Sequence, residues 1–276
     1  MSKIFKLLFI GLFLFSIVGF TPPTANYTPD AYDKLLIHGD QADGTAGTDI
    51  IDSATSKTIT AVGDAQVDTA QYKNLTGSTG SILFDGTGDS LNVPDSTDFA
   101  FPADFTIDFW VRFNSVPTSD GQVQYLYAGA AGVISAYIYH TATDLKLYMY
   151  GEMNISAIWE ASTNTWYHVA LVRASGTITY YINGTSIGGG SNSTSIVSGV
   201  QHIGSDASNA QGLDGWIDEF RISKGIARDW APADQGDVII IQYVKSFINN
   251  LNPDKIGTPV WSCKIKLESF LRNLKG

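Results

Sequence analysis

Leu213–Arg228 has the sequence L-D-G-W-I-D-E-F-R-I-S-K-G-I-A-R, and it indicates the fold more clearly than any other stretch. The Asp-Gly pair near its start is a turn signal, after which a strand is predicted. Phe220 and Ile222 share one parity of that strand, whereas Ile217 has the other. Either Asp218 points into the interior with the first pair, or a β-bulge at the Asp-Glu step resets the face. Both alternatives place a carboxylate beside a packed core, where it must be paired, hydrogen-bonded or bound to a metal. The remaining alternative is a solvated Asp218 at the start of the strand.

Phe105–Phe113 has the clearest strand pattern, with five apolar residues in strict alternation. The alternation predicts one face packed against a second sheet. The other face carries Asp108, Trp110 and Arg112, and we expect a solvated ion pair there. Further strands are predicted at Leu35–His38, Gln124–Ala128, Val133–His140, Leu145–Tyr150, Trp166–Arg173 and Ile178–Asn183. Short strands with frequent turn signals predict an all-β, two-sheet antiparallel jelly-roll sandwich.

The composition fits one large β domain with extensions. The chain has 276 residues, of which 27 are glycine and only 16% are charged. Its net charge is −10, and residues 7–228 hold 22 acidic against 9 basic side chains. This acidity argues against a nucleic-acid partner, which needs a basic surface, and is compatible with calcium. The single cysteine, Cys263, excludes an intrachain disulfide and a cysteine-rich zinc cluster.

Residues 1–25 are predicted to be a signal peptide or an N-terminal anchor. Lys3 and Lys6 precede the apolar run Leu7–Phe20, which is shorter than the roughly 20 residues of a membrane span. We therefore expect a secreted or cell-surface protein, with membrane contact through this segment if it is not cleaved. Residues 26–34 are predicted to be a linker, and residues 35–228 the β domain.

Residues 229–276 are predicted to form a helical extension. Apolar residues recur at helical spacing in Val238–Leu251 and in Ile265–Leu274, which predicts two short amphipathic helices. These helices either pack on the sandwich or on each other, or they dock a partner or a membrane surface.

Four segments in order resemble laminin-G-like domains of the concanavalin A type. They are Leu35–Asp40, Ser81–Pro94 with Phe105–Phe113, Trp166–Gly184, and Leu213–Arg228. The resemblance covers Tyr32–Arg228 and implies a jelly-roll sandwich, but it says little about activity because such folds host many functions.

The resemblance also implies a structural calcium ion that ties the first strand to the last. The stretch I-D-E-F-R-I is similar to the V-D-Y-V-R-V-like strand of the family, and Asp218 takes the position of its Asp. Asp40 or neighbouring carbonyls would supply the first-strand side, and the turn at Gly86 could add a carbonyl oxygen. Calcium takes six to eight oxygen ligands, many of them from backbone. The alternative is that Asp218 accepts backbone hydrogen bonds without a metal.

Aromatic residues opposite the apolar faces of their strands suggest a sugar-binding surface. They are Trp110, Tyr137, Tyr139, Tyr148 and Tyr150. If their strands share a sheet, its outer face is an aromatic surface on which the C–H faces of a sugar can pack. The alternative is cross-strand aromatic pairing that only stabilises an exposed sheet.

The sequence argues against an enzyme. The similar laminarinase-type glucanases place E-x-D-x-x-E on one strand, which supplies the two carboxylates of a retaining glycosidase. None of the four glutamates begins that pattern: they are Glu152, Glu160, Glu219 and Glu268. We therefore expect a non-catalytic, exported module that binds a glycan or a cell-surface receptor. The alternatives are an adhesion subunit of a surface layer or phage-type particle without sugar binding, and a glycoside hydrolase.

Overall fold

The computed structural model describes residues 22–129, 134–142, 144–150 and 155–228, without the side chains of residues 148–150 and 155. These residues form fifteen strands and one 3-10 turn, Thr97–Phe99. All strand pairs are antiparallel and belong to two sheets, so the predicted all-β sandwich is confirmed. In this part of the chain no helix has the length and apolarity that a membrane span requires.

The first sheet contains eight strands. In spatial order seven of them are β13 (Thr185–Ser191), β12 (Thr177–Ile182), β11 (Trp166–Ala174), β6 (Phe105–Phe113), β15 (Asp214–Lys224), β4 (Ser81–Asp85) and β3 (Gln66–Asp68), and β1 (Asp33–Ile37) also pairs with β15. The second sheet contains, in order, β10 (Ile155–Ile158), β9 (Leu145–Tyr150), β8 (Ile134–His140), β7 (Val123–Gly129), β14 (Gln201–Ile203), β5 (Ser90–Val93) and β2 (Thr60–Val62).

The core lies between the two sheets. All five alternating apolar residues of β6 are buried there, as predicted. The β8 and β9 strands contribute Ile134, Ile138, Leu145 and Leu147 from the opposite side. This inward alternation leaves the intervening residues of β8 and β9 on the outer face of the second sheet.

A β-bulge interrupts β15 where the sequence loses its alternation. Between Asp218 and Arg221 the pairing advances three residues along β15 but only two along β6. As a result Ile217 and Phe220 both reach the core despite their opposite parity. Glu219, inside the bulge, has a φ of 52°, a left-handed conformation that non-glycine residues seldom adopt. The bulge is therefore the correct alternative of the two that the sequence left open.

The outer face of the first sheet is covered by chain segments, which corrects two expectations. Residues 26–34 were predicted to be a linker, but Tyr27 is buried and its backbone N–H donates to the Glu219 carboxylate at 2.6 Å. We call residues 22–32 the N-terminal segment. Asp108 is also fully buried instead of forming a solvated pair with Arg112. Both corrections have one cause: tertiary contacts cover a sheet face that the strand pattern alone leaves open.

Two predicted features lie outside the described residues. Residues 1–21 contain nearly all of the predicted signal peptide or anchor, and residues 229–276 contain both predicted amphipathic helices. Both predictions remain expectations from the sequence.

Candidate functional site

A row of three tyrosines lies on the outer face of the second sheet. Tyr125 of β7 is opposite Tyr137 of β8, with ring centroids 4.6 Å apart. Tyr139 follows on β8, and its ring lies 6.0 Å from that of Tyr137. All three side chains are half-buried, so part of each ring faces solvent. We call these three residues the tyrosine row.

The register extends the row to β9. Tyr148 is the cross-strand partner of Tyr137, and Tyr150 is the partner of Ser135. The side chains of both tyrosines lie outside the described part of the chain. Of the five predicted aromatic residues, Tyr137 and Tyr139 therefore lie in the row, and Tyr148 and Tyr150 occupy adjacent register positions.

Trp110 does not belong to this surface, which corrects the prediction. It lies on β6 in the other sheet and is only 4% exposed. The Lys73 ammonium group covers its ring at 4.4 Å, and the His168 ring packs against it edge-on at 5.2 Å. The sequence assigned Trp110 correctly to the face away from the core, but it could not show that the N-terminal segment and residues near Lys73 cover that face.

A polar cleft adjoins one end of the tyrosine row. It has a volume of about 580 Å³ and lies between the turn after β4, the loop before β7 and the loop before β15. Its lining includes the carboxylates Asp85 and Asp214 and the amides Gln122, Gln124 and Gln211. Carboxylates accept hydrogen bonds and amides both donate and accept, so the lining is suited to hydroxyl groups.

The cleft and the row share β7. Val123 lines the cleft and is the cross-strand partner of Tyr139, while Tyr125 begins the row two residues later. The backbone N–H of Tyr125 donates to the Gln211 carbonyl at 3.0 Å, which fixes the cleft wall to the strand. A ligand lying along the rings would thus reach the polar cleft without leaving the protein surface.

The N-terminal segment closes over a buried ionic network on the first sheet. Arg221 donates to both oxygens of Asp108, at 3.0 and 3.1 Å. The Tyr27 hydroxyl also donates to Asp108 and lies 3.0 Å from Nε2 of His168. Burial alone would raise the pKa of Asp108, but Arg221 and His168 outweigh it and lower that pKa. Burial lowers the pKa of His168.

An acidic cluster lies where β1 ends beside the bulge of β15. His38, Asp40 and Glu219 each place one possible ligand atom within 4.8 Å of the others. His38 Nδ1 is 2.5 Å from Glu219 Oε1. Asp218 adjoins them, because it accepts from the Ser78 hydroxyl while Asp40 accepts from the backbone N–H of the next residue, Thr79. We call these four residues the acidic cluster.

Asp218 is held in this cluster by only one of its two oxygens. Oδ2 accepts from the Lys73 backbone N–H at 2.9 Å and from the Ser78 hydroxyl at 3.1 Å. Oδ1 is buried and has no hydrogen-bond partner among the described residues. Burial, and then the neighbouring Glu219, raise the pKa of Asp218 well above its usual 3.8.

The oxygens around Asp218 fit calcium. Asn26 donates to Asp40 at 2.6 Å, and its own side-chain oxygen is buried without a partner in the described part of the chain. Clustered oxygens with free lone pairs are what calcium prefers, whereas the imidazole of His38 is not among its usual ligands.

Gly86 does not join the acidic cluster, which corrects the third predicted metal ligand. A side chain at Gly86 would meet Asp214 at 3.0 Å, and Gly86 lines the polar cleft. Asp214 precedes Asp218 by four residues of an extended strand, a separation of about 13 Å. Of the predicted metal ligands, the structure therefore brings together Asp40 and Asp218 only.

Sequence reasoning missed three residues of these candidate sites. Tyr125 was missed because the register of β7 shifts between Tyr125 and Tyr127, which hides its parity. His38 and Glu219 were missed because their contact joins residues 181 positions apart. The Asp-Glu pair at the bulge was the available signal for Glu219.

Solved structures that resemble this one contain sugar-binding domains. Domain 4 of the extracellular arabinanase AbnA from Geobacillus stearothermophilus, in complex with arabinotriose, has a TM-score of 0.51 and 18% identity. The match covers 71% of this chain and 94% of that domain. The ligand binding domain of botulinum neurotoxin serotype D, in complex with N-acetylneuraminic acid, has a TM-score of 0.51 and 14% identity over 78% of this chain.

A sialidase from Trypanosoma rangeli, in complex with a difluoro-KDN ligand, has a TM-score of 0.52 and 14% identity over 74% of this chain. The chain spans about half of the neurotoxin domain, at 51%, and 32% of the sialidase. At these identities the likeness establishes the fold alone.

No curated protein sequence matches the chain. A family model, described as the concanavalin A-like lectin/glucanases superfamily (Laminin_G_3), matches residues 85–229, slightly more than half of the chain. The matched region includes β15 with its bulge and every strand that carries the tyrosine row. The chain therefore belongs to the concanavalin A-like lectin/glucanases superfamily.

Proposed function

We propose that this domain is a non-catalytic carbohydrate-binding module that holds an oligosaccharide along the tyrosine row, with its hydroxyl groups in the adjacent cleft. The observation that carries the proposal is the row: three half-buried tyrosine rings on an outer sheet face, of which the Tyr137 ring contacts both of the others. The C–H faces of a sugar pack on aromatic rings such as these.

The cleft favours a ligand over simple sheet stabilisation. Cross-strand pairing of Tyr125 with Tyr137 would stabilise the sheet without any ligand. Such pairing does not require a cleft beside the rings, and the volume of about 580 Å³ lies within the usual range of small-molecule sites. The sugars bound by the arabinanase domain and the neurotoxin domain add support for a glycan ligand.

The two carboxylates of the cleft support binding without hydrolysis. Asp214 accepts from the Asn114 amide at 3.0 Å and from the Ser115 hydroxyl at 2.5 Å. Asp85 accepts from the Thr87 backbone N–H at 2.7 Å. A glycosidase needs a proton-donating carboxyl and a second, free carboxylate across the scissile bond. Here the contacts of both acids fix the loops of the cleft.

A structural calcium ion at the acidic cluster is part of the proposal. Asp40 and Asp218 would hold it, together with nearby carbonyl and amide oxygens. The ion would supply positive charge beside carboxylates that otherwise repel one another, and it would join the end of β1 to the bulge of β15. Its role is in folding, since the cluster lies on the first sheet and the tyrosine row on the second.

The proposed setting is extracellular. With residues 1–25 as a signal peptide or anchor, the module would meet glycans or a glycosylated receptor at the cell surface or in the medium. The principal alternative is a structural or adhesion subunit of a surface layer or phage-type particle that binds no sugar.

The test is a glycan array probed with the full chain, followed by titration calorimetry with the oligosaccharides that bind. Tyr137→Ala should weaken binding about two- to ten-fold, because an aromatic ring contact contributes about 0.5–1.5 kcal/mol. Tyr72→Ala removes an exposed tyrosine elsewhere and should leave affinity unchanged. Unfolding curves for both variants separate lost binding from lost folding. An array without any bound glycan would favour the structural subunit, and release of reducing sugar would contradict the non-catalytic assignment.

A further inference from the structure

We infer that the tyrosine row and its cleft select uncharged oligosaccharides and discriminate against sugars that carry a carboxylate or sulfate group. This inference rests on the proposed function, and it narrows the ligand to one chemical class. Neither the fold nor the structural neighbours decide this point, since the neighbours include both a neutral and an acidic sugar as ligands.

The described lining of the cleft carries negative charge and no compensating cation. Asp85 and Asp214 are cross-strand partners at the ends of β4 and β15, and both residues line the cleft. None of the described residues that line the cleft is a lysine or an arginine. The other side chains that could contact a ligand are amides and hydroxyls, among them Gln122, Gln124 and Gln211. Such groups pair with sugar hydroxyls and leave an anion unneutralised.

Among the described residues, one cation neighbours the tyrosine row, and that cation faces a carboxylate. Lys146 of β9 is the cross-strand partner of Tyr139. Its ammonium group lies 3.9 Å from the carboxylate of Asp144, which offsets its charge. Proteins that recognise carboxylate or sulfate usually present an arginine fork or a cluster of cations. The described residues around the row and the cleft present no arginine of this kind.

Long-range electrostatics act in the same direction. The chain has a net charge of −10, so an anionic ligand is repelled before it reaches the site. Within the site a ligand carboxylate would lie near Asp85 and Asp214 in a partly desolvated cleft, where like charges interact more strongly than in water. A neutral sugar meets neither penalty and can donate its hydroxyls to both carboxylates.

The test compares ligands that differ only in an acidic group. The probes are lactose against 3′-sialyllactose, and a xylo-oligosaccharide against the same chain with a glucuronic acid branch, both included in the array and then titrated. In each pair that binds, we expect the neutral member to bind at least ten-fold more tightly at 20 mM salt. The difference should narrow at 0.5 M salt, because screening weakens the repulsion.

A variant identifies the cleft as the source of the discrimination. Gln211→Lys adds a cation to the lining without removing a described side-chain contact. It should reduce the ratio of the affinities for the neutral and the acidic sugar at least three-fold. Thr185→Lys adds the same charge at an exposed position on the edge of the first sheet and serves as the matched control.

The outcomes separate the two proposals. Binding of acidic sugars as tightly as their neutral partners would overturn the inference and leave the carbohydrate-binding function intact. If both lysine variants reduce the ratio of neutral to acidic affinity equally, the cleft is not the cause of the discrimination. A chain that binds no sugar of either kind would overturn the proposed function and this inference with it.

Discussion

At the scale of single residues, Asp218 is a carboxyl group buried beside two other carboxylates. Its pKa in the folded domain is raised well above 3.8 by burial, by Glu219 and by Asp40. Between the unfolded and the folded pKa the folded state binds more protons, so stability falls as the pH rises through that interval. Without a cation, Asp218 therefore destabilises the domain at neutral pH.

Asp218→Asn should have opposite effects with and without calcium. In excess EDTA the amide removes the buried charge, so the variant should unfold at a higher temperature than the wild type. In calcium the wild type should gain stability by RT ln(1 + [L]/Kd), about 2.7 kcal/mol at 100 times Kd, and the variant should gain little. Thermal unfolding of both proteins in EDTA and in calcium measures this reversal in their order of stability. If calcium does not change the unfolding midpoint of the wild type, Asp218 is instead an acceptor of backbone hydrogen bonds without a metal.

At the scale of elements, the N-terminal segment acts as a cover for the central strands of the first sheet. Its backbone pairs with the chain near Thr76, through hydrogen bonds of 3.0 and 3.1 Å. Tyr27 anchors it on Asp108, His168 and Glu219. The segment thereby seals polar groups that would each lose stability if they were left buried without partners.

Tyr27→Phe should reduce the free energy of unfolding by about 1–3 kcal/mol, because Asp108 and His168 lose a buried hydroxyl partner while the ring packing is kept. Chemical denaturation measures this change. Tyr32→Phe is the matched control, since Tyr32 belongs to the same segment but is 47% exposed. Equal stability of the two variants would show that the hydroxyl of Tyr27 does not hold the segment in place.

Elements with regular local patterns were predictable from the sequence, and elements set by distant contacts were not. The alternation of Phe105–Phe113 predicted the inward face of β6, and the broken alternation of β15 identified its bulge as one of two alternatives. The position of the N-terminal segment over the outer face was not predictable, because three prolines near Tyr27 indicate a linker and its contact partners are distant in the sequence. Trp110 was misplaced for that reason.

At the scale of the whole molecule, both candidate sites combine residues that are far apart in the chain. The acidic cluster joins Asp40 to Asp218, and a family motif was available to link them. The polar cleft joins loops around Asp85, Gln122 and Gln211, and no local pattern links those residues. Sequence therefore indicated the candidate metal site in part, whereas the cleft required the topology of both sheets.

The stability of the whole domain should fall as the pH rises above 6.5. Burial would lower the pKa of His38, but the carboxylate of Glu219, with a smaller contribution from Asp40, outweighs it and raises that pKa above 6.5. A group whose pKa is raised by folding stabilises fully below its unfolded pKa, and that stabilisation is lost as the pH rises through the folded value. His168 has a lowered pKa, so its contribution to the free energy of unfolding changes only below pH 6.5. It therefore does not affect the pH range in which His38 titrates.

The measurement is chemical denaturation in EDTA from pH 6.5 to 8.5, made in the Asp218→Asn background so that only one member of the acidic cluster with a raised pKa titrates. The free energy of unfolding should decline across this range in the parent and remain nearly constant after His38→Gln. An equal decline in both proteins would assign the pH dependence to other groups. The ion pair of His38 with Glu219 would then contribute little to the contact between the end of β1 and the bulge of β15.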